Sequence, residues 1–278
     1  MKPFCIYHGN CADGFGAAWV VCKYFGDGRV DFHAGVYQEL LPDVTDRDVV
    51  MVDFSYKLEP MRNIIKAAHT VLVIDHHKTA LEVIEKLVDV PLNTKFSYYF
   101  DLERSGAGLT WDYYFNGQPR PALIDHIEDR DLWKFALPGT REIQASVSSY
   151  PYDFEVWDNL MAMPVESLQA EGVAIERKHF KDINELVRVT KRRMKIGGHI
   201  VPVANLPYTL TSDAGNMMAV GQPFAACYMD TPDGRVFSLR SRPEGLDVSE
   251  IAKQYGGGGH KNAAGFRVGY DRLAEFLV

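Results

Sequence analysis

Three short apolar segments near the start of the chain each run into a carboxylate or an imidazole, with helix-like stretches between them. Residues 3–7 lead into His8-Gly-Asn-Cys-Ala-Asp13-Gly14, residues 49–53 (VVMVD) end at Asp53, and residues 70–74 (TVLVI) run into Asp75-His76-His77. Continuous apolar runs of this length read as strands buried on both faces. Residues 14–25 and 57–68 read as helices, the second with Pro60 in its first turn. Such alternation implies a parallel sheet with crossover helices. Ligands of open parallel sheets bind outside the carboxyl ends of the strands. His8, Asp13, Asp53, Asp75, His76 and His77 are therefore expected on one rim, joined by Asp129 or Asp131 from a later helix.

A set rich in carboxylate and imidazole suits divalent metals. Carboxylate favours Mg or Mn, and imidazole shifts the choice towards Mn, Fe, Co or Zn. No thiolate pairs mark a structural zinc site. Crowded acids also repel one another unless cations sit among them. A single strand ending on Asp is ordinarily a cap, but three strands ending on Asp or His are harder to explain that way. A rival reading takes Gly14-Phe-Gly16 as part of a dinucleotide fingerprint. Trp19 stands where the third glycine would be and is too large for close helix–strand packing, and Asp13 would meet the pyrophosphate.

Further along, a helix is expected at 106–115, opening after Ser105 as its N-cap, and another at about 120–128, stopping at Asp129. Residues 138–164 are less periodic and read as a short helix and loops. Residues 166–195 form the longest helix-like run, with eight Lys/Arg against two acids over 177–195. Such a charge run is ordinarily a solvated face; the sharper reading is a linker lining an anionic-substrate cleft. Gly197-Gly198 read as its stop. Residues 199–278 look like a second α/β unit, with strands at 200–204, 224–229 and 235–240, a turn at Asp233-Gly234 and a helix at 247–255. Gly256–Gly259 and His260 follow. Successive glycines let backbone N–H groups converge on an anion. Arg240 can fork onto a phosphate and His260 can donate to one.

Composition sets outer limits. Of the 278 residues 46% are hydrophobic and 24% charged, as in soluble globular proteins. No run approaches the roughly 18 apolar residues of a membrane helix, and residues 1–7 lack a signal peptide's apolar region. Four cysteines make no disulfide scaffold, so a reducing cytoplasm is the expected setting. The net charge of −7 argues against a broad DNA-coating surface, but not against a short anionic substrate in a local pocket.

Over nearly its whole length the chain resembles DHH-family phosphoesterases with a DHH-associated C-terminal domain. Asp75-His76-His77 matches the triplet after an apolar strand, Asp53 the second motif, and Asp129 in IEDRDLW the fourth. Residues 238–266, SLRSRPEGLDVSEIAKQYGGGGHKNAAGF, carry the most specific match. The resemblance implies an α/β protein: a parallel-sheet metal-binding domain (1–165), a helical linker (166–198) and a smaller α/β substrate-binding domain (199–278), with the active site in the cleft. It implies a manganese-dependent phosphodiesterase acting on short single-stranded oligonucleotides or small nucleotide phosphodiesters. Phosphoanhydride hydrolysis and weakly catalytic nucleotide sensing are the alternatives. By the same resemblance two Mn²⁺ ions, replaceable by Mg²⁺ or Co²⁺, share Asp53. One also takes Asp13, His76 and Asp129, and the other takes His8. Asp75 orients His76, and His77 faces the phosphate. Arg240, Ser241, Gly257, Gly258, Gly259 and His260 hold substrate. No membrane partner is implied, and a homodimer is compatible. The first motif departs from the pattern. Many relatives have His followed by two Asp, four and six positions on; here Asp13 is five after His8, and Cys11 stands where another Asp is expected. Thiolate is a poor Mn ligand, so either one metal site is expected to be weaker, or Asn10 or water is expected to fill that place.

Overall fold

A computed structural model describes residues 2–36, 40–88 and 95–278. The chain divides into two compact units, Met1–Glu176 and Arg177–Val278.

The first unit begins β1 (Phe4–His8), α1 (Ala12–Phe25), β2 (Asp31–Gly35), β3 (Asp48–Val52), α2 (Leu58–Ala67), β4 (Thr70–Asp75), α3 (Lys78–Val88) and β5 (Lys95–Phe100). It continues through α4 (Gly106–Tyr114), α5 (Ala122–Asp131), α6 (Thr140–Val147), α7 (Phe154–Ala162) and into α8 (Val165–Thr190). The strands form one parallel sheet in the order β2-β1-β3-β4-β5. Successive residues of a strand face opposite sides, and both sides are covered. Val49 and Met51 join Ile6, Val71 and Val73 against Met61, Ile64 and Ile65 of α2 and Ile84 and Leu87 of α3. Val50 and Val52 face the other way, into a core of Phe15, Val20, Leu109, Ile127 and Trp157. Burial on both faces is why these strands are unbroken apolar runs rather than alternating ones. Where 138–164 read as one short helix and loops, two helices form; α7 is capped by Asp153, whose carboxylate accepts from Val156 N–H at 3.0 Å.

This strand order reverses between β1 and β3, and such a reversal opens a crevice at the carboxyl ends of the two strands. Register then levels the rim. Tyr7 pairs with Val52 and Val52 with Ile74, so the residues that follow each, His8, Asp53 and Asp75, leave three adjacent strands at one height.

The second unit contains the end of α8, then β6 (Arg192–Ile196), β7 (His199–Asn205), α9 (Thr211–Met218), β8 (Ala225–Thr231), β9 (Gly234–Arg240), α10 (Val248–Gln254), β10 (Gly258–His260) and β11 (Ala263–Val268). Its sheet runs β10-β11-β9-β8-β7-β6, with only the β7–β8 pair parallel. One expectation is corrected here. The basic helical run does not reach residue 195: β6 occupies its end, burying Met194 and Ile196 while Arg192, Arg193 and Lys195 face out. Gly197 (φ 55°) and Gly198 (φ 84°) are the two-residue turn between β6 and β7, not a helix stop. Left-handed φ at both central positions is the conformation tight hairpins require. No helix among the described residues is long and apolar enough to cross a membrane.

Candidate metal centre

The centre is assembled around His76, just past the end of β4. Its Nε2 lies 3.0 Å from Asp53 Oδ1, 3.6 Å from Asp13 Oδ2 and 3.6 Å from Asp131 Oδ2. Asp53 follows β3 in a left-handed conformation (φ 55°), held by its N–H on the Ile74 carbonyl at 2.9 Å. Such backbone is uncommon outside glycine and costs energy that functional sites store. The two Asp53 oxygens face different partners, Oδ1 towards His76 and Oδ2 towards His8 Nδ1 at 3.4 Å. His8, Cys11 and Asp53 each offer a donor atom within 4.8 Å of the others, and so do Asp13, His76 and Asp131. The two clusters therefore meet at Asp53 and His76.

The electrostatics are those of a site short of positive charge. Burial pushes the Asp13 carboxyl well above its ordinary range, and the neighbouring Asp53 and Asp131 push it further. Burial opposes the charged form of His76, but its hydrogen bond to Asp53 and the charges of Asp131, Asp53 and Asp13 raise it well above the usual imidazole value. His8 behaves alike, with burial overcome by Asp53 and Cys11. Asp53 stays ionised: burial disfavours its charge, but hydrogen bonds from His76 and His8 outweigh that and hold it far below the usual range. Protons here stand in for the positive charge that a cation would provide.

Asp13 has a second duty. Its Oδ2 accepts from Gly106 N–H at 2.6 Å and its Oδ1 from Ala107 N–H at 2.9 Å. Ser105 N–H goes to Glu128 Oε2 at 3.0 Å, and Gly108 N–H to Ser105 Oγ at 3.1 Å. These four side-chain bonds satisfy donors that the start of a helix leaves unpaired, and the N-terminal end of α4 favours the negative charge beside it. Sequence reasoning found the Ser105 cap but missed that Gly106 brings this helix against the site. A Cβ on Gly106 would lie 2.4 Å from Asp53 Cβ, and one on Gly14 would lie 2.3 Å from the His8 carbonyl oxygen. The run Ser105-Gly-Ala-Gly108 was the available signal.

Two expected roles are corrected. Asp129 does not join the centre. Its Oδ1 accepts from Ala136 N–H at 2.8 Å, and its Oδ2 from Leu137 N–H at 3.0 Å and Thr140 Oγ–H at 2.6 Å, pinning the loop before α6. Those bonds hold its carboxyl below the ordinary range against the effect of burial. Asp131 takes the place at the centre instead. Residues two apart on a helix point about 200° apart, so only one of the pair can face the site. Asp75 pairs with the His77 ring: its Oδ1 lies 2.7 Å from His77 Nδ1 and also accepts the backbone N–H of His76 at 2.7 Å. This contact fixes the orientation of the His77 ring beside the centre.

In the second unit, Arg240 is braced by Ser238 Oγ at 3.0 Å, the Leu239 carbonyl at 2.8 Å and Ser212 Oγ at 2.8 Å. Ser241 is buried and its hydroxyl accepts from Asn262 Nδ2 at 2.8 Å. The glycines do not form an open anion-binding loop. Gly256 and Gly257 donate to the Lys253 and Ala252 carbonyls at the end of α10. Gly258, Gly259 and His260 are the edge strand β10, paired with β11. A Cβ on Gly257 would lie 2.0 Å from the Gly265 carbonyl oxygen, so close packing explains that glycine. Tyr255 stacks on Phe266, with ring centroids 4.4 Å apart, and serves the core.

The geometry defines an α/β protein with a histidine–carboxylate centre at the switch point of a parallel sheet. Residues 216–278 match the DHHA1 domain family. The chain is 33% identical over 289 residues to the uncharacterized protein R106 of Acanthamoeba polyphaga mimivirus, covering 94% of this chain and 66% of that one. Among solved structures it is similar to RecJ from Thermus thermophilus in complex with Mn²⁺, with TM-score 0.52, 15% identity, and 98% of this chain and 50% of that one covered. It is also similar to the pGpG-specific phosphodiesterase PggH of Vibrio cholerae, with TM-score 0.47, 15% identity, and 98% and 95% covered. The C-terminal part of the chain carries a DHHA1 domain, and the chain shares the fold of RecJ.

Proposed function

We propose that the protein is a divalent-cation-dependent phosphodiesterase acting on short single-stranded oligonucleotides or small nucleotide phosphodiesters in the cytoplasm. The observation that carries this reading is the convergence of three carboxylates on His76 Nε2. The donor set fits divalent cations. It offers imidazole nitrogen and several carboxylate oxygens, and its acids repel one another in the absence of cations. Asp13, His76 and Asp131 would hold one ion and His8 a second, with Asp53 reaching both. Manganese is the first candidate, supported by the imidazole content and by the Mn²⁺ in the RecJ structure that shares the fold.

A cation bound there supplies Lewis acidity, polarising a phosphoryl oxygen and acidifying water. The chain's own residues do the rest. Asp53 sets the distance between the two ligand groups through its fixed, left-handed backbone. Asp75 holds the His77 ring in a fixed orientation beside the centre. Asp13 ties the metal ligands to the start of α4. Arg240 and His260 of the C-terminal unit are proposed to hold substrate phosphate.

The test is product analysis. Mn-loaded protein is incubated with labelled di- to decanucleotides, cyclic dinucleotides and polyphosphate. Mononucleotides released from the shortest oligonucleotides support the reading; cleavage of polyphosphate alone overturns the substrate class.

A further inference from the structure

Cys11 is the residue at which this chain departs from its family's first motif, and its surroundings make more of it than a substitution. It occupies the N-cap position of α1 with extended backbone (φ −134°, ψ 134°) and makes no side-chain cap bond. Ser, Asp and Asn are favoured there because they accept from the helix's first N–H groups; a thiol forgoes that. Its sulfur lies instead with His8 and Asp53, all three donor atoms within 4.8 Å of one another. Cys5, Cys22 and Cys227 are buried, whereas Cys11 is only partly covered. Asp53 is 1% exposed, so a buried carboxylate oxygen and an imidazole nitrogen face the thiol.

We infer that Cys11 Sγ is a metal ligand, giving the His8–Cys11–Asp53 half of the centre a sulfur-containing donor set that selects a thiophilic ion, Zn²⁺ or Co²⁺, over Mn²⁺. This inference rests on the metal-dependent reading above and refines it. Nitrogen, sulfur and oxygen together suit borderline-soft ions, while the Asp13–His76–Asp131 half keeps the harder set that suits Mn²⁺. On coordination the thiol loses its proton to solvent and the sulfur lone pair forms the bond to the ion, so uptake releases one proton at this residue. The two halves are then chemically unlike, and the protein holds a mixed-metal pair when both ions are offered.

The full chain, stripped of metal, is titrated with Co²⁺ and followed by absorption spectroscopy. Wild type is expected to show d–d bands together with a thiolate-to-cobalt charge-transfer band in the near ultraviolet. Cys11→Ser is expected to keep the d–d bands and lose the charge-transfer band. Dialysis against equal Zn²⁺ and Mn²⁺ should leave wild type with zinc at this half, and Cys11→Asp should shift the Zn:Mn ratio towards manganese by about tenfold or more. Ser and Asp are both good N-caps, so the variants keep α1 intact. Cobalt d–d bands without a charge-transfer band in wild type would overturn the inference while leaving the metal centre standing. A Zn:Mn ratio unchanged in Cys11→Asp would overturn it equally. Failure of wild type to bind cobalt at all would overturn both this inference and the proposed function.

Discussion

Asp129 and Asp131 stand two positions apart in α5 and serve different ends. Asp131→Asn should leave the fold intact and weaken metal binding about 10- to 100-fold, the range for losing a metal-site partner, as read by metal titration. Asp129→Ala strands three donors of the loop before α6 and should cost about 2–3 kcal/mol of stability, as read by denaturant unfolding. If Asp129→Ala emptied the metal site while leaving stability untouched, the two assignments would have to be exchanged. The protons at the centre give a pH signature with a definite sign. His8 and His76 bind protons more tightly in the metal-free fold than in an unfolded chain. Their contribution to stability is full below about pH 6.5, the unfolded imidazole value, and is lost as pH rises through their raised values. Asp13, also raised, adds to the same trend. Asp53 has the opposite sign: its contribution is present above about pH 3.9 and is lost only as pH falls through its depressed value. Metal-free protein should therefore melt at lower temperature as pH rises above about 6.5, while metal affinity rises in the same direction because ions displace those protons. Melting curves with and without chelator check this, and a metal-free melting temperature that climbs with pH would contradict it.

At the scale of elements, the site depends on close approach as well as on the ligands' identities. Gly106→Ala would press a methyl group against Asp53 and should cost about 1–3 kcal/mol as an overpacked contact, with metal affinity lost beyond what the stability change explains. Thermal melts paired with metal titration separate the two effects. The strand ends were legible in sequence because β1, β3 and β4 are buried on both faces and so appear as apolar runs that stop at polar residues. That single pattern located His8, Asp53, Asp75, His76 and His77. Other elements gave weaker signals. In β6 the period-two burial of Met194 and Ile196 is hidden among four basic residues from Lys191 to Lys195, which read as the continuation of α8. The glycine run at 256–259 looked like a phosphate loop, because a glycine needed for close strand packing and one needed for an anion nest are the same letter. The choice between Asp129 and Asp131 turned on helix phase, which a boundary uncertain by a residue or two cannot supply.

At the scale of the whole molecule, an acidic chain proposed to work on an anionic substrate needs its positive charge gathered locally. Cations held at the centre would provide part of it, and Arg240 and His260 are proposed to provide the rest. Arg240→Ala and His260→Ala should both raise KM with metal content unchanged, Arg240→Ala more strongly, because a guanidinium makes two charge-assisted bonds to one phosphate. Loss of bound metal from His260→Ala would instead make that residue a ligand. The central claim, that the His8–Asp13–Asp53–His76–Asp131 centre hydrolyses phosphodiesters through bound cations, is tested most directly by one assay. Turnover of a labelled dinucleotide is measured for wild type and Asp53→Asn, each after exhaustive chelation and again after Mn²⁺ is restored. The account predicts that wild type falls silent and recovers, and that Asp53→Asn stays at least about 100-fold below it with metal present. Full turnover by the chelated wild type, or full recovery by Asp53→Asn, would contradict it.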